Sequence, residues 1–201
     1  MLFLTTAVFN PGDELQLRGD GIRMEVRLYP FDDPGFIRDV DEMFKKKGTK
    51  GLHKFPRTML LKNEEEYGVG VFGPDEYKKG DFLGFYMGTV EDEPHGRHVL
   101  TSTGSGKAKY CNGGFSRFLP VSAHRKRGTP GPFMNSSQGR FNKDGSSLRP
   151  NASADRKHQV LHTHAGRRMT CIPLFASCDF AKAFIVWDYD PEAGHGVKFG
   201  S

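Results

Sequence analysis

The stretch that decides the fold is GVGVFGPDEYKKGDFLGFYMG, residues 68–88. Its apolar residues fall in two runs, around 67–72 and 82–90, and this pattern predicts two short strands joined by a turn that ends in Lys-x-Gly. The first run opens with a Gly-x-Gly at Gly68 and Gly70. Because glycine allows tight turns and close backbone approach, a lone Gly-x-Gly indicates no more than a turn or a bulge. Its meaning depends on the segments around it.

The segment before this stretch predicts a strand over residues 21–28, where apolar and charged residues alternate, and then a helix. Asp33 is suited to cap that helix, Pro34 to its first position and Gly48 to its end. Its apolar stripe consists of Phe36, Ile37, Val40 and Phe44. Further short strands are predicted near 58–61, 97–101, 158–163, 168–176 and 184–189. Many short strands with few helices indicate a β-rich α+β domain.

Four more segments follow in order after residue 88. They are FMNSS (133–137), PNA (150–152), MTCIPLFASCDF (169–180) and IVWDY (185–189). Together with residues 68–88, they resemble the ordered motifs of the SET domain, the domain of a family of protein lysine methyltransferases. The resemblance covers about residues 58–190, and it implies a fold of short β-sheets with a knot-like crossing. In that crossing, the segment that ends at Tyr189 passes the segment around Asn135. Residues 1–57 would then form an N-terminal strand-and-helix extension, and residues 191–201 a C-terminal tail.

The resemblance also implies a function, the transfer of a methyl group from S-adenosylmethionine to a lysine of a histone or another protein. Tyr189 matches the tyrosine that orients the amine, and Tyr86 matches a second tyrosine of the lysine channel. Trp187 matches the aromatic residue that limits how many methyl groups fit, so a narrow channel is expected. The matched cofactor-binding residues are Gly68, Val69, Gly70, Phe72, Asn135 and Ser136. For each aromatic residue the alternative is an ordinary core or strand position.

The departures from the family pattern favour a second interpretation, a catalytically inactive SET-like module that binds a protein or a nucleic acid. Phe85 and Thr89 stand where the family usually has glutamate, and Ser136 stands where it has histidine. Ala183 and Phe184 stand where the family has Gly-Glu-Glu before its last strand, so one residue is missing. The segment Gln138–Arg149 interrupts the gap before Pro150. The first interpretation predicts cofactor binding, whereas the second does not require it.

Charge adds a weak indication of partners. The net charge of +5 permits contact with nucleic acid without requiring it. The basic run HRKR at 124–127 could be a nuclear-import or phosphate-binding patch, with a solvated loop as the alternative.

Metal-site patterns are weak in this sequence. The three cysteines form no CxxC pair. His158, His162 and His164 would share one face of a strand but could not easily converge on one ion. No metal is therefore expected.

No stretch approaches the roughly 20 apolar residues that span a bilayer. The expected location is intracellular, with the nucleus favoured over the cytoplasm.

Overall fold

The structure is a computed structural model, and it describes residues 21–64, 67–91, 99–101, 110–112, 130–164 and 166–188. Within these residues the chain has eleven β-strands, one α-helix and three short 3-10 turns, which confirms the predicted β-rich class. The strands are β1 (Ile22–Val26), β2 (Arg57–Glu64), β3 (Gly68–Tyr77), β4 (Phe82–Glu91), β5 (Val99–Thr101), β6 (Tyr110–Asn112), β7 (Asn135–Ser136), β8 (Ala152–Ala154), β9 (Val160–His164), β10 (Arg167–Ala176) and β11 (Phe180–Trp187).

The helix, α1, spans Pro34–Lys47 and has the predicted ends. The Asp33 side chain accepts a hydrogen bond from the backbone N–H of Phe36 at 2.8 Å, and this satisfies one of the free N–H groups of the first turn. Gly48 ends the helix in the left-handed conformation, with a φ of 65°. The buried face consists of Phe36, Val40, Met43 and Phe44. Met43 thus belongs to the stripe, whereas the predicted Ile37 is only half-buried.

The strands follow the order β1-β2-β3-β11-β8-β10-β4-β6-β5, with β7 also paired to β11 and β9 also paired to β10. Strand β11 joins the two halves of this arrangement. It runs antiparallel to β3 over Phe180–Ile185, and its end runs parallel to both β7 and β8. Strand β1 pairs with β2, so the first described strand lies in the same sheet as the rest. The division into residues 1–57, 58–190 and 191–201 stays a prediction, and the last of these segments lies outside the described residues.

Two apolar cores lie against strands β4 and β10. Leu83 and Ile172 belong to the first core, whereas Phe85 and Cys171 belong to the second, which also contains the buried face of α1. Strands buried on both faces appear in a sequence as nearly continuous apolar runs, and this is why 82–90 and 168–176 were recognisable. Phe85 is 1% exposed, and a carboxylate there would be costly to bury. Phenylalanine therefore suits this core position.

Periodicity predicted no firm elements between residues 101 and 157. This region contributes β6, β7 and β8, each of two or three residues. Such short strands are held by their partners rather than by their own sequence. His158 also lies in a 3-10 turn, Arg156–His158, and not in β9, so the predicted common strand face of the three histidines was wrong. Among the described residues, no helix is long and apolar enough to cross a membrane.

Candidate functional site

The first part of the site is the start of β3, where the Gly-x-Gly lies opposite the end of β2. Gly68 is paired with Glu64, and its φ of 73° favours glycine. Gly70 is buried, and a Cβ built on it would lie 3.0 Å from Oε2 of Glu64 and 3.1 Å from Nδ2 of Asn135. The absence of a side chain at Gly70 therefore lets β3 approach Glu64 and Asn135 closely.

The second part is the short strand β7. Asn135 lies beside Val186 and Ser136 beside Trp187 in the parallel pairing with β11. The Asn135 amide donates from Nδ2 to Oε2 of Glu64 at 2.9 Å, while the Ser136 hydroxyl accepts a hydrogen bond from the N–H of Gln138 at 3.1 Å. The structure thus brings together Gly70 and Asn135, two of the predicted cofactor-binding residues that lie 65 positions apart in the sequence numbering.

The other predicted cofactor-binding residues lie on the same strand as Gly70. Val69 is partly buried against the first core. Phe72 is half-buried, and its ring packs edge-on against Phe184 with centroids 5.5 Å apart. Lys62 Nζ lies 4.4 Å from the centroid of the Phe72 ring. Phe72 and Phe184 therefore form an aromatic contact between β3 and β11.

Two charged residues at this site were missed by sequence reasoning. Arg140 Nη1 donates to Oε1 of Glu64 at 2.7 Å, and the side chains are only 5% and 16% exposed. The Arg140 guanidinium also stacks on Tyr67, 3.6 Å from the ring centroid. Neither residue belongs to a motif that resembles the family, and Arg140 lies in the segment that interrupts the pattern. The sequence carried no signal for this pair, since its members are 76 residues apart.

Asn151, in the Pro-Asn segment, fixes the end of β11. Its Nδ2 donates to the Phe184 carbonyl at 2.9 Å, and its Oδ1 accepts from the Val186 N–H at 2.8 Å. On the other side of β11, the Ser137 N–H donates to the Trp187 carbonyl at 2.9 Å. The end of β11 therefore lies between the two segments that flank residues 138–149, which agrees with the predicted crossing as far as Asp188.

The predicted catalytic and channel residues are placed only in part. Tyr86 on β4 and Trp187 on β11 come together, with ring centroids 5.4 Å apart. Both side chains are 0% exposed and belong to the first core. Tyr189 lies outside the described residues, as does the basic run at 124–127. The roles predicted for Tyr86, Tyr189 and Trp187 stay predictions.

A second buried charge cluster lies at the start of β4 and was not predicted. The Asp81 carboxylate, 4% exposed, accepts hydrogen bonds from Lys54 Nζ at 3.0 Å and from Arg57 Nη2 at 3.2 Å. Burial acts to raise the pKa of Asp81, but these bonds and one from the Lys78 N–H outweigh it, so the pKa lies below its usual value. Asp81 directly precedes β4, and its partners belong to the 3-10 turn Leu52–Lys54 and to the start of β2. Because the cluster joins three elements, we assign it a role in stabilising the fold.

Metal ligation has no support within the part of the chain that the structure describes. No group of three or more His, Cys, Asp or Glu side chains lies close enough there to hold an ion. His158 instead faces Asp155, with 3.0 Å between Nδ1 and Oδ2, and Asp155 also pairs with Lys47 at 2.6 Å. These contacts join the end of α1 to the turn before β9.

Several solved structures are loosely similar to this chain. ATXR5 in complex with histone H3.1 is 17% identical, with a TM-score of 0.41, over 82% of this chain and 68% of that one. KRYPTONITE in complex with DNA and S-adenosylhomocysteine is 16% identical, with a TM-score of 0.42, over 71% of this chain but 24% of that one. The Plasmodium falciparum protein PFL0690c is 15% identical, with a TM-score of 0.42, over 69% of this chain and 98% of that one. No family model matches the chain, and no curated protein matches it.

Proposed function

We propose that this chain is a divergent SET-domain protein that transfers a methyl group from S-adenosylmethionine to a lysine of a protein substrate. The observation that carries the proposal is the contact between the Gly-x-Gly strand and β7. Gly70 and Asn135 come from separate motifs, yet an added Cβ on Gly70 would lie 3.1 Å from the Asn135 amide. The two motifs that were predicted to bind the cofactor therefore lie next to each other, as the proposal requires.

The residues present fit the proposed cofactor. An added Cβ on Gly68 would have no neighbour within 4 Å among the described residues, so the backbone there is open to a ligand. The backbone of Gly68–Phe72 would approach the cofactor, while Asn135 and Ser136 would hold its amino-acid end and its adenine. When bound, S-adenosylmethionine would supply an electrophilic methyl group on a sulfonium sulfur. No metal is needed for this chemistry.

The remaining requirement is a neutral, aligned lysine amine. A free lysine has a pKa of about 10.4, so deprotonation at pH 7 costs roughly 4–5 kcal/mol. A desolvated channel would lower that pKa, and Tyr189 would orient the amine by a hydrogen bond. Tyr86 and Trp187 would form the channel wall, and the size of Trp187 would favour the lower methylation states. A histone is the first substrate to test, and a histone substrate would imply a nuclear location.

The second candidate is a SET-like module without catalytic activity. The observation that favours it is the complete burial of Tyr86 and Trp187, whose rings pack on each other in the first core. An apolar contact of this kind needs no lysine channel. Such a module would bind a protein, or a nucleic acid through the basic run at 124–127.

Calorimetric titration with S-adenosylmethionine and S-adenosylhomocysteine distinguishes the two candidates. Micromolar binding that is weakened at least tenfold by Asn135→Ala, but kept in Tyr189→Phe, supports the enzyme. Transfer of a labelled methyl group to histones should then be lost in Tyr189→Phe. Binding without transfer to any protein in a histone and nuclear-extract screen would favour the inactive module. Absence of cofactor binding, with and without histone peptides, would reject the proposed enzyme.

A further inference from the structure

The ion pair between Glu64 and Arg140 lies against the proposed cofactor site, and neither residue belongs to a family motif. Building on the proposed function, we propose that Glu64 and Arg140 position Asn135 and that their opposite charges cancel at the proposed cofactor site, so that neither charge alone acts on the sulfonium. Arg140 would thereby give a role to the segment that interrupts the motif pattern. The contacts around Glu64 support this role in three steps.

The first step concerns the orientation of Asn135. A carboxylate only accepts hydrogen bonds, so Oε2 of Glu64 must face the NH2 end of the Asn135 amide. The 2.9 Å bond therefore fixes which end of the amide points to Glu64 and directs Oδ1 elsewhere. Asn135 itself is held in the parallel pairing with Val186. Backbone and side chain of Asn135 are thus both fixed, and Glu64 is a positioning residue.

The second step concerns charge. A carboxylate that is 16% exposed and touches Asn135 would place a negative charge at the proposed cofactor site. Arg140 balances it through a bond of 2.7 Å and is itself held against the Tyr67 ring. Removing one member of such a pair leaves an uncompensated charge in a poorly solvated place. That charge would lie beside Gly70, whose added Cβ would be only 3.0 Å from Oε2 of Glu64.

The third step concerns the two ligands. S-adenosylmethionine carries a positive sulfonium, whereas S-adenosylhomocysteine has an uncharged thioether and the same amino-acid and adenosine groups. The ratio of their dissociation constants therefore measures the electric potential at the sulfur. Loss of Glu64 would leave the positive Arg140 and disfavour the sulfonium. Loss of Arg140 would leave the negative Glu64 and favour it.

The test is a calorimetric comparison of both ligands in the wild type, Glu64→Gln, Arg140→Met and the double variant. We expect the preference for S-adenosylmethionine to fall about threefold in Glu64→Gln and to rise about threefold in Arg140→Met. This is the size expected for one unit charge whose effect is largely screened by solvent. The double variant should restore the wild-type ratio, although both of its affinities should be weaker because the neutral glutamine amide holds Asn135 less strongly than the carboxylate does.

Matched controls change the same charges on exposed residues outside the site. Glu76→Gln near the end of β3 and Arg38→Met on α1 should leave the ratio unchanged. If Arg140→Met does not fold, the inference can still be tested by comparing the ligand preference of Glu64→Gln with that of the double variant. Shifts of the same sign in both single variants, or none, would overturn the inference while leaving the proposed function intact. Failure of the wild type to bind either ligand would reject both.

Discussion

At the scale of single residues, Gly70 is the glycine of the proposed cofactor site where an added Cβ would meet close neighbours, whereas Gly68 is open. We expect Gly70→Ala to weaken binding of S-adenosylmethionine at least tenfold, because the new methyl group would push against Glu64 and the Asn135 amide. Overpacking of this kind should also cost about 1–2 kcal/mol of the free energy of unfolding. Calorimetric titration and urea unfolding of the same preparation measure both effects.

The control for Gly70 is Gly80→Ala, in the turn before β4. Gly80 has a φ of 86°, and an added Cβ there would have no neighbour within 4 Å among the described residues. Its substitution should cost about 1 kcal/mol through backbone strain, and leave the affinity for the ligand unchanged. Wild-type affinity in Gly70→Ala would contradict the assignment of this strand to the cofactor site.

Asp81 gives a pH dependence whose sign follows from its lowered pKa. The pKa of this carboxyl is lower in the folded than in the unfolded state, where it is about 3.9. The carboxylate therefore stabilises the fold at pH values above the unfolded pKa, and this stabilisation is lost as the pH falls through the folded pKa. We expect Asp81→Asn to cost about 3 kcal/mol at pH 7, since Arg57 would remain buried without its carboxylate. As the pH falls through the folded pKa the cost should shrink, because the wild type then loses the same charge.

Urea unfolding at several pH values between 7 and 2.5 tests this, with Asp179→Asn as the control. Asp179 pairs with Lys78 at 3.1 Å, but its side chain is 59% exposed, so its substitution should change the stability little at any pH. An Asp81→Asn cost that is the same at pH 7 and at pH 2.5 would show that packing, and not charge, makes Asp81 important.

At the scale of elements, the ends of α1 are set by local contacts, and Asp33 is the residue to test. Asp33→Ala should lower the free energy of unfolding by about 1 kcal/mol, because the N–H of Phe36 loses its acceptor in the first turn. Asp33→Ser should retain most of the stability, since serine is also a good capping residue. Equal losses in both variants, measured by thermal unfolding, would mean that the carboxylate acts otherwise than as a cap.

The success of the sequence predictions also varied by element, because it depended on how far each element is determined by local contacts. The span of α1 was predicted to the residue because Asp33, Pro34 and Gly48 act on their own neighbours. Strands β4 and β10 were predicted because they are buried on both faces. By contrast, β7 and β8 have two and three residues, and their pairing with β11 depends on chain segments more than 30 residues away. No local pattern encodes such pairing.

The candidate site divides in the same way. Gly70 and Asn135 could be found because each belongs to a motif whose residue types resemble the family. Glu64 and Arg140 could not, since the pair forms only when β2 and the segment after β7 meet in the folded chain. The packing partner of Phe85 was likewise invisible, because nothing in the sequence shows that Phe85 shares a core with the buried face of α1.

At the scale of the whole molecule, β11 holds the fold together. It lies between β3 and β8 in the sheet order, so the strands on either side are joined through it. Asn151 binds its backbone at two points, the Phe184 carbonyl and the Val186 N–H. Loosening this contact should therefore destabilise the molecule as a unit and expose strands distant from Asn151.

Cys171 can report that effect, because it is 0% exposed in β10 and burial raises the pKa of its thiol. In a Cys111→Ser, Cys178→Ser background, a thiol reagent should label Cys171 only when the molecule opens globally. Loss of the two Asn151 bonds should cost about 2–3 kcal/mol, so Asn151→Ala should speed labelling roughly 30- to 150-fold where closing outpaces labelling. The control is Asn142→Ala, which removes an exposed contact with Ser146 and should change the rate less than about threefold. Equal rates in the two variants would mean that β10 opens independently of the crossing at β11.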